Sequence, residues 1–144
     1  MIKKSIRIAN CSGFYGDKLA VAREMVEGGP IDVLTGDYLA ELTMTILYGQ
    51  KMKRGEDHGY VGTFIKQFRD VAKLTEEKRI KIVTNAGGLN PASMASAIQD
   101  IVKELNLNLK VAYIDGDDLM PRINDFFRDG EKLINIDKNM PLDS

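Results

Sequence analysis

The chain has 144 residues, 44% of them hydrophobic, which is the size and apolar content of one ordinary domain with a core of its own. Its 20 basic and 21 acidic residues leave a net charge of -1, and neither sign runs in a block, so the footprint of a nucleic-acid or anionic-membrane binder is missing. One cysteine excludes an internal disulfide, and one cysteine with one histidine argues against zinc, so a reducing, cytoplasmic compartment is expected.

The first segment, MIKKSIRIANCSG, lacks the apolar stretch of a signal peptide because Arg7 and Asn10 interrupt it. No apolar run approaches the roughly 20 residues that a membrane-spanning helix needs. Ser5 to Ala9 predicts a strand, CSGFYGD a loop, and KLAVAREMVEGG a helix with Leu19, Ala22, Met25 and Val26 on one face, stopped at Gly28-Gly29-Pro30. The pattern then repeats. Ile31 to Leu34 predicts a second strand, Gly36-Asp37 a turn, and YLAELTMTILYGQKM a helix carrying Leu39, Leu42, Ile46 and Leu47. KRGEDHG is polar and punctuated by glycine, which predicts a mobile loop, followed by a helix bearing Val61, Phe64, Ile65, Phe68, Val71 and Ala72 at helical spacing. Next come the strand IKIV, the turn NAGGLNP and a helix with Met94, Ala97, Ile98, Ile101, Val102 and Leu105 in one stripe. Asn90 is its expected N-cap, with Pro91 in the first helical position. Leu109 to Ile114 predicts a fourth strand, DGDD a turn and LMPRINDFF a short helix.

Apolar strands alternating with helices predict an α/β domain over residues 1–144: an open, mostly parallel sheet of about four strands with helices on both faces, a three-layer arrangement. Ligands of such sheets sit at the carboxyl ends of the strands, which singles out the loops CSGFYGD, TGDY, TNAGGLNP and IDGDD. In the first, Gly13 and Gly16 let backbone approach a ligand, and Ser12, Tyr15 and Asp17 offer polar groups, although Asp17 as a helix cap explains the loop equally well. It is neither a Walker A loop nor a dinucleotide fingerprint. Gly87 and Gly88 precede a helix N-terminus, where amides and the helix dipole suit an anion or a carbonyl oxygen, while Asn85 and Asn90 can orient a polar ligand or simply complete the turn. Asp37 is expected to cap the second helix, with Glu41 in its first turn, and Asp37, Tyr38 and Glu41 are also available as acid or base groups. For Asp115, Asp117 and Asp118 a solvated turn with Asp118 as a cap is favoured over a magnesium site. His58 reads as a surface loop residue and Cys11 as a small buried one.

Taken together, CSGFYGDKLAVAREMVEGGPIDVLTGDYLAELTM followed by TNAGGLNP resembles the N-terminal part of the AtuA family of acyclic terpene utilisation proteins. Three separated motifs in the same order, SGFYGD, GDYLAELTM and TNAGGLNP, carry the resemblance over nearly the whole chain. It implies association with the breakdown of citronellol- and geraniol-like compounds through acyl-CoA intermediates. The resemblance carries no catalytic role over to the matching residues. Such proteins run to several hundred residues, so the resemblance also implies a fragment, a split subunit completed by a C-terminal polypeptide, or a reduced member, and in the first two cases self-association through an exposed sheet edge near the C-terminus is expected. The resulting expectation is a small acyl-CoA or carboxylate ligand held by Ser12, Gly13, Asn85, Gly87, Gly88 and Asn90, with Asp17, Asp37 and Tyr38 transferring protons and no metal. The cofactor is left unspecified. A noncatalytic nucleotide- or acyl-CoA-binding module, and a structural subunit of a larger assembly, are the alternatives.

Overall fold

The computed structural model describes residues 5–141. Lys3 and Lys4, and the last three residues of the KNMPLDS tail, lie outside the described residues. The chain divides into two units, Met1–Ile114 and Asp115–Ser144.

The first unit is a parallel α/β structure. Its elements are β1 (Ile8–Asn10), α1 (Val21–Gly28), β2 (Val33–Gly36), α2 (Glu41–Arg54), α3 (Gly62–Glu77), β3 (Lys81–Thr84) and α4 (Pro91–Glu104). The strands lie in the order β1-β2-β3, all parallel, with Ile8 opposite Val33 and Val33 opposite Lys81. Successive residues of a strand face opposite sides, so Ala9, Leu34 and Ile82 share one face, and Ile8, Val33, Lys81, Asn10, Thr35 and Val83 the other.

The first face carries the core. Leu34 packs with Cys11, Ala22 and Val26 near α1 and with Val71 of α3, and Ile82 also packs against Phe64, Phe68, Ile98 and Ile101 of α3 and α4. Bidentate bonding of Arg23 to Asp70 joins α1 to α3, and the Arg69–Glu104 pair joins α3 to α4. The second face is open: Ile8 is 65% exposed and Val83 61%. Coverage on both faces was the expectation, and α1, α3 and α4 all pack on one.

Three further corrections concern the elements. β1 and β2 run to Asn10 and Gly36, past the apolar runs that suggested ends at Ala9 and Leu34, because ladder bonds continue through Cys11 N donating to Thr35 O. Residues 109–114 form no strand. Instead Leu105, Leu107, Leu109 and Val111 pack against the helical core while Asn106, Asn108 and Lys110 are exposed, so the alternation is satisfied by burial without a ladder. The helix expected from Tyr38 onward starts only at Glu41, and of the apolar residues the sequence puts on it Leu47 is buried while Leu42 is 71% exposed.

The second unit consists of a 3-10 turn (Met120–Arg122), α5 (Ile123–Arg128) and an isolated antiparallel bridge between Ile134 and Pro141. Asp118 Oδ1 accepts from Met120 N, and the Arg122 guanidinium stacks over the Phe126 ring. Among the described residues no helix is long and apolar enough to cross a membrane.

One contact fixes the end of β2. A Cβ on Gly36 would lie 2.6 Å from Tyr38 Cε2, so only glycine lets the Tyr38 ring fold back beneath the strand, where the residue is 2% exposed. There the Tyr38 hydroxyl donates to Gln67 Oε1 of α3 at 2.5 Å, and the ring meets Phe64 edge-on at 5.9 Å. Gly36→Ala is expected to cost about 1–3 kcal/mol through overpacking, and Tyr38→Phe about 1–3 kcal/mol by leaving the Gln67 oxygen unpaired. Urea denaturation of both variants measures these losses.

Candidate functional site

Three of the singled-out loops follow β1, β2 and β3, and the parallel register brings them to one edge of the sheet. After β1, Cys11 and Ser12 are buried, and Ser12 Oγ donates to Phe14 O, closing a small turn. Asp17 does not cap α1, which begins at Val21. Its carboxylate folds back on its own loop, accepting from Gly13 N at 3.1 Å and from Lys18 N at 2.7 Å. These two amides, Gly13 foremost, hold the Asp17 carboxyl below its ordinary value. Tyr15 reaches α2, where its hydroxyl accepts from Gln50 Nε2.

After β2, Asp37 is exposed and likewise leaves its helix uncapped, since α2 starts at Glu41 behind Ala40. It is claimed by Asn85 instead. Asn85 Nδ2 donates to Asp37 Oδ1 at 2.6 Å, and Asn85 Oδ1 accepts from Tyr38 N at 2.8 Å. The side chain of one loop thereby stitches the ends of β2 and β3 together and presents the Asp37 carboxylate at the sheet edge. Tyr38 itself points into the core: burial pushes its hydroxyl's pKa well up, and Cys11 Sγ, also raised by burial, lies 4.0 Å from it.

After β3, the glycine turn is filled by the chain itself. Gly88 N donates to Asn85 O, Leu89 N to Gly59 O and Asn90 N to Gly87 O, while Thr84 Oγ1 takes Ala86 N. Asn90 is the α4 cap that the sequence predicts, accepting from Ser93 N, with Pro91 opening the helix. Its Nδ2 donates to Glu56 O and His58 O, and Val61 N donates to Ala86 O, so the segment read as a mobile loop is docked on the turn. His58 Nδ1 is enclosed there without a hydrogen-bond partner.

The glycines serve this docking. A Cβ on Gly87 would stand 2.8 Å from Pro91 Cβ, and one on Gly88 would stand 2.4 Å from Leu47 Cδ1 and 2.8 Å from Gly59 O, at φ +53°. Of the predicted site residues, the structure therefore brings Ser12, Gly13, Asp17, Asp37 and Asn85 to one sheet edge, turns the Tyr38 ring inward, and occupies Gly87, Gly88 and Asn90 with packing and capping. Asn10 and Thr35 belong to the same edge: Thr35 Oγ1 lies 3.1 Å from Asn10 Oδ1, and Asn10 Nδ2 donates to Ser12 O. Their signal was available as polar residues ending apolar strands. Gln67 carried a signal too, as a polar residue inside the apolar stripe of α3. Among the described residues no group of three or more His, Cys, Asp or Glu is placed to hold a metal ion.

A parallel α/β sheet with polar loops at the carboxyl ends of its strands defines the class, a fold that builds small-molecule sites at that edge. The family model for acyclic terpene utilisation family protein AtuA matches residues 6–144, and the chain belongs to that family. Membership associates it with acyclic terpene utilisation. Searches of curated proteins and of solved structures found no match.

Gly88→Ala is expected to lower stability by about 1–3 kcal/mol and to speed amide exchange at Val61 and Leu89, whose bonds join the loop to the turn. For Asp17 the sign follows from its depressed value: its contribution is present above the unfolded pKa and is lost as pH falls through the folded one. The Gly13 and Lys18 amide resonances should therefore titrate with a midpoint below 3.8. A midpoint at or above that value would mean that the carboxylate does not hold these amides.

Proposed function

We propose that the carboxyl edge of the sheet binds a small acyl-CoA or branched carboxylic acid in acyclic terpene catabolism, with Asp37 as the group that transfers a proton. The observation that carries this reading is the Asp37–Asn85 pair. Asn85 engages one carboxylate oxygen and leaves the other for a second partner, on an exposed edge, which is the arrangement of a positioned base. Asn85 is then a positioning residue. Ser12 and Gly13 line the neighbouring loop, and Asp17 keeps that loop in shape. Gly87, Gly88 and Asn90 contribute by building the turn that carries Asn85. Tyr38 anchors the Asp37 backbone, since its ring and amide are both fixed.

Binding without turnover is the second reading, favoured by the inward placement of Tyr38, which leaves Asp37 as the one exposed member of the Asp37–Tyr38 pair. Both readings are tested by thermal shift with coenzyme A, short branched acyl-CoAs, the free acids and nucleotides, with and without magnesium. A ligand at about 100 times its dissociation constant adds roughly 2.7 kcal/mol to stability. The expected result is a selective shift with acyl-CoA or acid that Asn85→Ala abolishes. Asp37→Asn should keep the shift and lose exchange of the hydrogens next to the ligand carbonyl, followed by mass spectrometry in deuterium oxide. A shift without exchange in the parent chain supports binding alone, and no shift with any ligand overturns both.

A further inference from the structure

The residue that follows the central strand is held from both neighbouring strands. Asp37 comes directly after β2, which lies between β1 and β3 in the sheet, and an asparagine serves it from each side. From the β3 side, Asn85 takes the Asp37 carboxylate and the Tyr38 amide directly. From the β1 side the hold is indirect. The Asp37 amide donates to Ser12 O at 2.9 Å, and Asn10 Nδ2 donates to the same oxygen at 2.8 Å. A carbonyl oxygen offers two lone pairs, and both are used here, so turning the Ser12 peptide would break two bonds at once. Asn10 is itself oriented. Its Oδ1 lies 3.1 Å from Thr35 Oγ1, the residue opposite it in the β1–β2 register, so its oxygen faces the hydroxyl while its nitrogen faces Ser12. The ladder at this point is already closed by the main chain, through Cys11 N donating to Thr35 O. The Asn10 side chain is therefore free of the task of pairing the strands, and its amide is directed at the carbonyl that carries Asp37.

We propose that Asn10 is a second positioning residue for Asp37, acting through the Ser12 carbonyl and locked by Thr35. The two asparagines divide the work. Asn85 sets where the carboxylate points, and Asn10 sets the main chain from which it hangs. A group that transfers a proton must keep its place to within roughly 0.5 Å, and a displacement of about 1 Å can cost on the order of 100-fold in rate. One bond to the carboxylate leaves the Asp37 backbone free to carry the whole pair sideways, and the bond from its amide to Ser12 O removes that freedom. The inference rests on the reading of Asp37 as the proton-transferring group, but the part of its test made without ligand does not. An asparagine that merely ends β1 makes a different prediction: its loss would loosen Cys11 and Thr35 and leave Asp37 where it is.

The experiment compares the full chain with Asn10→Ala and Thr35→Val by nuclear magnetic resonance, first without ligand and then with a saturating short branched acyl-CoA. Thr35→Val keeps the side-chain shape and carries the test should Asn10→Ala fail to fold. Without ligand, the Asp37 amide is expected to exchange at least about tenfold faster in the variants. The Asn85 side-chain amide signals should move toward those of Asp37→Ala, in which their partner is missing. With ligand, the exchange of hydrogens next to the carbonyl, followed in deuterium oxide, should slow at least about tenfold while the affinity stays unchanged. A rate and an affinity that fall together would mark a structural residue and overturn the inference. Asp37 and Asn85 signals that stay as in the parent chain overturn it as well, and faster exchange confined to the Cys11 amide makes Asn10 a strand-end residue only. Signals that move without any change in rate show that the Asn10 bond does not serve proton transfer. A parent chain that promotes no exchange overturns the proton-transfer reading of Asp37 instead, and the measurements without ligand then decide whether Asn10 sets the place of that carboxylate.

Discussion

The arrangement at the sheet edge rests on how Tyr38 is held. Its ring needs the missing side chain of Gly36, its hydroxyl needs Gln67, and its amide needs Asn85. Those three partners belong to β2, α3 and the loop after β3, so one residue ties a strand end, a helix and a distant turn to a common point. Thr43 adds a fourth tie by donating to Tyr38 O from the first turn of α2. The tyrosine hydroxyl is buried and needs its partner, since an unmade bond there costs more than the bond itself contributes. With Tyr38 fixed, the adjacent Asp37 has little choice of direction, and a carboxylate is displayed at the rim without a helix cap to consume it.

Much of the fold was legible because it rests on local chemistry. The 3.6-residue stripes of α3 and α4 are carried by Phe64, Phe68 and Val71 and by Met94, Ile98 and Ile101, and all six are buried. Asn90 and Pro91 signal a helix start through preferences that depend on two or three neighbouring residues, and the start is found there. What was hidden depends on partners distant in sequence. Asp37 has the right identity and spacing for an N-cap, and nothing local reveals that Asn85, 48 residues away, outcompetes the helix for it. Asp17 is similar on a smaller scale, bonding backward to Gly13.

The strands were misjudged for a different reason. Apolar runs report burial, and ladders report hydrogen bonding, and the two coincide only where a sheet is covered on both sides. Here one face is open, so Thr35 and Gly36 extend β2 without adding to its apolar run. In the opposite sense, Leu105 to Val111 alternates in burial without pairing, because its leucines find cover among helices. The same asymmetry separates the glycines: Gly36, Gly87 and Gly88 are each required by a close approach, whereas a side chain at Gly13 would meet only open space.

The segment between α2 and α3 is gripped by its main chain. Asn90 holds the carbonyls of Glu56 and His58, Leu89 holds that of Gly59, and Val61 reaches back to Ala86. Glu56, His58 and Gly59 supply carbonyls and Val61 an amide, all of them main-chain groups, so the identities of Glu56 and Asp57 are released from the task of docking. Sequence drift at those two positions can proceed without loosening the turn, while the same freedom is denied to Asn90, whose amide does the gripping. Relatives can thus diversify the outer surface of this loop, and with it whatever passes close by, on an unaltered frame.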